Sequence, residues 1–337
     1  MDEAWKQELL RLPGRQDEIE WLKSRLETMS VREEIILSGS IWADQPRTAA
    51  DVIQHIICIS YLDVCAGANS YTALGEFFLE HDNTTKLPPE ALAFVDKDAL
   101  GERYEDLHPG IFIGSDYVIY QEMDKPVPGY DGIHLPQQDY DWSLRLKLAS
   151  AAKPEGVWVC LPDYDEINED RPGDIQIALR ELEVEHISEC TILDVRCTLP
   201  RITGFTEYSD LADLIYDGQN LGILLDERGQ GQPHFMEHFL AALELEDCYS
   251  LKGALDIANN LHCYDFVLTS ELADYGKTAL RQTEGTILND CIDYEGYAEQ
   301  LLEQQDFRCA LDGEAYIKRN AQALVSDYVQ PSPEMTM

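Results

Sequence analysis

Residues 48–64 read TAADVIQHIICISYLDV, and residues 250–266 read SLKGALDIANNLHCYDF. A constant shift of 202 lays one over the other, with Thr48 on Ser250 and Leu62-Asp63-Val64 on Tyr264-Asp265-Phe266. Each stretch opens with a hydroxyl residue suited to cap a helix. Each continues with an apolar stripe at helical spacing: Ala49, Val52, Ile53, Ile56 and Ile59 in the first, and Leu251, Ala254, Leu255, Ala258 and Leu261 in the second.

The correspondence extends further. Gly75 matches Gly276 at a shift of 201, Phe94–Asp98 matches Cys291–Glu295 at 197, and Gly114–Val118 matches Gly313–Ile317 at 199. The order of elements is kept while the loops change length, the pattern of a diverged internal duplication.

Outside the copies, 2–29 carries two helical patterns broken at Leu12-Pro13-Gly14, and Val31–Ile41 carries another. Trp142–Leu148 alternates Leu144, Leu146 and Leu148 with Ser143, Arg145 and Lys147, which predicts a half-buried strand that pairs with Val157–Cys160 as a hairpin. A helix over Ile175–Leu182 and a strand over Ile187–Val195 complete a strand-strand-helix-strand group, and Tyr208–Ile215 and Phe235–Leu245 read as helices. The expected class is α+β, an elongated chain of small domains made of short antiparallel sheets and helical bundles. Its divisions are a partial N-terminal repeat (1–124), a linker (125–141), a ββαβ domain (142–200), a helical connection (201–249), the second copy (250–330) and a flexible tail (331–337).

The chain has 337 residues and an ordinary hydrophobic fraction of 45%, but 64 Asp and Glu against 25 Lys and Arg, a net charge of −39. The excess grows along the chain: 10 acids and 7 bases in 1–50, 17 and 6 in 51–150, 37 and 12 in 151–337. No single acidic block supplies it, so the charge belongs to folded surface. Such a field repels nucleic acid and anionic membranes and steers basic partners inward. Nine cysteines without paired close spacing fit reduced thiols, and neither an N-terminal signal pattern nor a run of about 18 apolar residues is present. A cytoplasmic protein is expected.

Several motifs invite a chemical reading. His234-Phe235-Met236-Glu237-His238 has the inverted zinc-protease order, but two imidazoles need a third ligand from elsewhere, and a helix with two surface histidines is the simpler reading. Asp163–Asp170 starts like a calcium loop, yet Ile167 and Asn168 stand at its fifth and sixth positions, where an oxygen ligand and a glycine belong. Cys263 beside His262 reads as a packed residue. The acid pairs Asp96/Asp98 and Asp293/Glu295, which recur in both copies, are explained by helix N-termini, where the dipole favours negative charge. No catalytic residue, metal site or cofactor is assigned.

The acids themselves remain as the feature that bears on function. The expected partner-binding carboxylates are Glu181, Glu183, Glu185, Glu207, Asp210, Asp213, Asp217, Glu244, Glu246, Asp247, Asp293, Glu295, Glu299 and Glu303. A net charge of −39 is what roughly 65 Å of duplex DNA would display. From the Ser143–Leu148 and Val157–Cys160 hairpin through Leu199-Pro200, Asn260–Phe266, Tyr275-Gly276, Ile292–Tyr297 and Gly313-x-x-Tyr316-Ile317, residues 142–330 resemble the ArdA-type antirestriction proteins of mobile elements. That resemblance implies a non-enzymatic DNA mimic that evades host defence by occupying the DNA-binding groove of a Type I restriction-modification enzyme. It also implies an elongated homodimer of three-domain chains, a role that two copies in one chain could fill as a pseudo-dimer. The chain departs from the family pattern in its length and its N-terminal copy. The alternatives from the residues alone are an acidic adaptor of a mobile element that binds a basic protein, or an inhibitor of another DNA-binding defence nuclease.

Overall fold

The computed structural model describes residues 4–81, 87–120, 129–136, 142–168, 171–280 and 292–328. The end of the expected N-terminal repeat (121–124), parts of the expected linker (125–128 and 137–141), Glu169, Asp170, Cys291 and the tail 331–337 lie outside the described residues. The protein is mixed α+β with three small antiparallel three-stranded sheets. The described residues fall into two compact units, one within Met1–Asp139 and Leu144–Arg196, the other within Tyr140–Ser143 and Cys197–Met337.

The first unit contains α1 (Ala4–Leu9), α2 (Gln16–Glu27), α3 (Val31–Asp44), α4 (Ala49–Ile57), β1 (Leu62–Cys65), α5 (Tyr71–His81), α6 (Pro89–Leu92), α7 (Lys97–Leu107), β2 (Gly110–Ile113) and β3 (Asp116–Tyr120). It continues with β4 (Leu144–Ala149), β5 (Val157–Leu161), α8 (Tyr164–Asn168), α9 (Asp174–Glu181) and β6 (Thr191–Cys197). The second holds α10 (Leu211–Gly231), α11 (Phe235–Leu245), α12 (Leu251–Asn259), β7 (Tyr264–Leu268), α13 (Leu272–Ala279), α14 (Tyr294–Gln304), β8 (Arg308–Cys309) and β9 (Ala315–Arg319).

The duplication expected from the sequence is present in the topology. Strand order is β1-β3-β2 in one copy and β7-β9-β8 in the other. Register is kept as well: Leu62 faces Tyr120 as Tyr264 faces Arg319, and Phe112 faces Tyr117 as Cys309 faces Tyr316. A slip of one residue would turn every side chain to the opposite face of the sheet, so the shared register preserves which residues are buried. Thr48 and Ser250 both cap their helices, accepting the N–H of Asp51 at 3.1 Å and of Gly253 at 3.1 Å. The stripes behind the caps are buried in both copies, apart from the partly exposed Leu261. Each fully buried aliphatic side chain there contributes roughly 1.5–3 kcal/mol.

The paired glycines have a common role. A Cβ at Gly75 would collide with the backbone carbonyl of Lys97, and one at Gly276 with that of Tyr294, the first helical residues of α7 and α14. Asp96 and Asp293 cap those helices, accepting from Ala99 N–H at 3.2 Å and Gly296 N–H at 3.0 Å. Gly114 and Gly313 turn the chain into the last strand with φ of 58° and 74°, a left-handed conformation that favours glycine.

In the first unit, α3 lies at the centre, in contact with α4, α9, β1, β2, β3 and β5. Its N-terminus carries a buried charge network. Glu33 is held by Arg25 and by Arg145 of β4, the latter at 2.9 Å. Burial pushes the Glu33 carboxyl up, but the two guanidiniums outweigh it and hold the group below the usual carboxylate range. Ser30 caps α3 and donates to Asp174 at 2.9 Å, while the other Asp174 oxygen accepts Cys160 N–H at 3.0 Å. Burial, with Asp163 and Glu33 nearby, raises the Asp174 carboxyl to about 7.

Two elements differ from the sequence reading. The strand expected from Ile187 begins at Thr191, because Glu189 accepts the N–H groups of Glu185 and His186 and closes a 3-10 turn over Ile187–Glu189. The helix expected over Tyr208–Ile215 starts at Leu211, set by the Asp210 cap, and runs on to Gly231. No helix among the described residues is long and apolar enough to cross a membrane.

Replacing Gly276 by alanine is expected to destabilise the protein by roughly 1–3 kcal/mol, since the obstacle is backbone. This outweighs the gain of about 1 kcal/mol that alanine otherwise brings to a helix interior. Thermal denaturation of Gly276→Ala and Gly75→Ala measures it. For Asp174 the folded state holds the proton more tightly than the unfolded chain, so its contribution is present below pH 4 and is lost as pH rises to about 7. Asp174→Asn keeps an acceptor for Cys160 and a donor towards Ser30. Denaturant titrations at about pH 5 and pH 8 are expected to show a smaller stability difference in this variant, by on the order of a few kcal/mol.

Candidate partner-binding surface

The acids expected to face a partner separate into three groups. Glu183, Glu185, Glu207, Asp213, Glu295, Glu299 and Glu303 are exposed, and their carboxylates have no ion-pair partner among the described residues. A second group is on the surface but engaged. Glu181 pairs with Lys153. Asp247 pairs with Arg201 at 2.6 Å and accepts from the Tyr249 hydroxyl at 2.6 Å. Asp210 and Asp293 cap α10 and α14.

The third group holds structure together inside the second unit. Glu244 accepts the N–H of Leu311 on both oxygens, at 3.1 and 3.0 Å, and ties down the loop between β8 and β9. Glu246 accepts from the Tyr264 hydroxyl at 3.0 Å and lies 3.7 Å from Arg319. Asp217 corrects the surface reading outright: it is 5% exposed and accepts from the Tyr208 hydroxyl at 2.6 Å. Burial, followed by that hydrogen bond, raises the Tyr208 hydroxyl far above its usual range. The spacing already pointed there, since Asp217 stands three residues after Leu214 and four before Leu221, both fully buried.

Three of the expected carboxylates line up on α14, and the sequence reading missed that they recur on α7. Tyr294, Ala298 and Leu302 face the core, and next to them Glu295, Glu299 and Glu303 form an exposed ladder with one carboxylate per helical turn, roughly 6 Å of rise apart. Subtracting 197 gives Asp98, Glu102 and Asp106 on α7, which are also exposed. The ladder is therefore duplicated in register on equivalent helices. In the first copy it is partly engaged: Asp98 accepts from Thr72 at 3.1 Å, and Asp106 pairs with Arg103 at 3.3 Å. The shift that relates Asp96 to Asp293 would have revealed it had it been carried two turns further.

The other motifs resolve into packing. His234, in a left-handed conformation before α11, lies 3.4 Å from Glu237, while His238 stacks on Phe266 with ring centroids 4.5 Å apart. Burial lowers the His238 pKa. Among the described residues no group of three or more His, Cys, Asp or Glu side chains is arranged to hold a metal ion. Asp163 accepts the N–H of Ile175 at 2.9 Å and so serves the start of α9, while Asp165 pairs with Arg32 at 3.0 Å. Cys263 is fully buried, 3.5 Å from His262 Nε2.

Asp217→Lys is expected to destabilise the second unit strongly, by about 3 kcal/mol or more, because it buries an unpaired charge and strands the Tyr208 hydroxyl. Glu299→Lys is expected to leave the melting temperature within about 1–2 °C. Thermal melts of the two variants separate the structural carboxylate from the displayed one. Comparisons with known proteins found no matching family model, no similar curated protein and no similar solved structure.

Proposed function

We propose that this chain is a non-enzymatic inhibitor that imitates DNA and occupies the DNA-binding groove of a host defence enzyme in the cytoplasm, a Type I restriction-modification enzyme in the first instance. The observation that carries this reading is the carboxylate ladder, displayed on equivalent helices of both copies within a chain of net charge −39. One strand of duplex carries a charge every 3.4 Å of axis, so a ladder with roughly 6 Å between carboxylates supplies about half that linear density. Exposed acids such as Glu183, Glu185, Glu207 and Asp213 add to it. A groove evolved for phosphates would meet these groups with lysine and arginine, and its affinity for the mimic would fall as salt rises.

The test is capture of a Type I methyltransferase and of other defence nucleases by the purified protein, with duplex DNA as competitor. Binding is expected to be displaced by DNA and weakened by salt. Binding that DNA leaves untouched would sink the proposal. Reversing Glu295, Glu299 and Glu303 to lysine is expected to weaken binding by roughly ten- to hundredfold, at about 0.5–1 kcal/mol per contact, without a loss of folding. Adding the same reversals at Asp98, Glu102 and Asp106 is expected to deepen the loss gradually. A collapse of binding at one residue alone would instead fit an acidic adaptor with a compact site.

A further inference from the structure

We propose that the first unit binds a small amphipathic organic anion, an apolar or aromatic body with one carboxylate, sulfonate or phosphate head, in a cavity of about 770 Å³ bordered by α1, α2, α3, the β2–β3 turn and the β4–β5 hairpin. The volume lies in the range of small-molecule sites. Of ten lysines in the whole sequence, four border this one cavity, Lys6, Lys23, Lys147 and Lys153, beside five carboxylates, Glu27, Glu34, Asp116, Glu155 and Glu181.

Three of the four are matched. Lys6 pairs with Glu34, Lys153 with Glu181, and Lys23 lies 4.0 Å from Glu27. Asp116, also on the wall, is taken by Arg180 at 2.7 Å. The remaining wall carboxylate, Glu155, is exposed on the hairpin. Lys147 stands apart: the residue is half-buried, and its ammonium makes no hydrogen bond or ion pair among the described residues. An ammonium without a counterion leaves an incoming anionic head a charge-assisted hydrogen bond to make.

Lys147 pairs across the hairpin with Trp158, so the ammonium and the indole rise side by side from one face of the sheet. Half-buried Val31 and Ile113 supply apolar surface beside them, and Leu26 and Ile35 close the wall behind with little exposure. One cation beside an aromatic plane and an aliphatic wall fits a ligand with one charged end and an apolar body. Inorganic phosphate would leave the apolar surface uncovered. The inference is independent of the acidic ladders.

The experiment titrates the purified full-length protein with 8-anilinonaphthalene-1-sulfonate and follows its emission. Saturable binding at one site is expected, weakened at least tenfold in Lys147→Ala and in Trp158→Ala, and retained in Lys147→Arg. A second measurement needs no variant: saturating probe is expected to protect Lys147 from acetylation, read by mass spectrometry, while Lys252 in the other unit reacts as before. Displacement of the probe by decanoate supports the site and assigns an aliphatic body; displacement by adenosine monophosphate supports it and assigns an aromatic one. Non-saturable emission, or Lys147 acetylated equally with and without probe, would overturn the proposal.

Discussion

The fold of both copies depends on one close approach, a glycine on one helix set against the first carbonyl of the next. Gly75 against Lys97 and Gly276 against Tyr294 let two helix backbones touch where any side chain would hold them apart. The contact fixes where α7 and α14 begin, and an aspartate cap then sets the starting phase of each helix. From that phase it follows which residues face inward and which outward. The carboxylate ladders are displayed as a consequence of where a glycine and an aspartate stand.

Much of this was legible in the sequence, for a physical reason. Apolar stripes, hydroxyl caps and positive-φ glycines obey strict local periods, so the shifts of 202, 201, 197 and 199 located nearly every repeated element. The β4–β5 hairpin was equally plain from its alternation, but the expected half-buried strand is buried on both faces, because Ser143 and Arg145 are enclosed as well as the leucines. What escaped was either longer than the local signal or dependent on burial. Four glycines over 218–231 disguised the length of α10, which persists because Leu214, Leu221 and Leu225 keep a buried stripe through them. Asp217 read as one more surface acid because composition does not distinguish a displayed carboxylate from one that receives a tyrosine hydroxyl.

Both units combine arginines and neutral donors around their buried and half-buried carboxylates. In the first, Glu33 lies between Arg25 and Arg145 and Asp63 between Arg32 and Arg171, while Asp174 accepts from the Ser30 hydroxyl and the Cys160 N–H. In the second, Asp217 and Glu246 accept from tyrosine hydroxyls, Glu246 with Arg319 at 3.7 Å, and Asp256 accepts from backbone N–H groups and a serine. Buried charge pairs cost desolvation, whereas neutral donors satisfy a carboxylate without drawing on a base.

The preserved register between the copies has a bearing on how such a protein can change. The positions that hold the scaffold are few: a cap, a touching glycine, a turning glycine and an alternating strand. The exposed positions between them answer to no packing demand. A lineage can therefore rewrite its surface one residue at a time, in either copy, while the other keeps its original form. Divergence of the displayed groups is thereby decoupled from the survival of the fold.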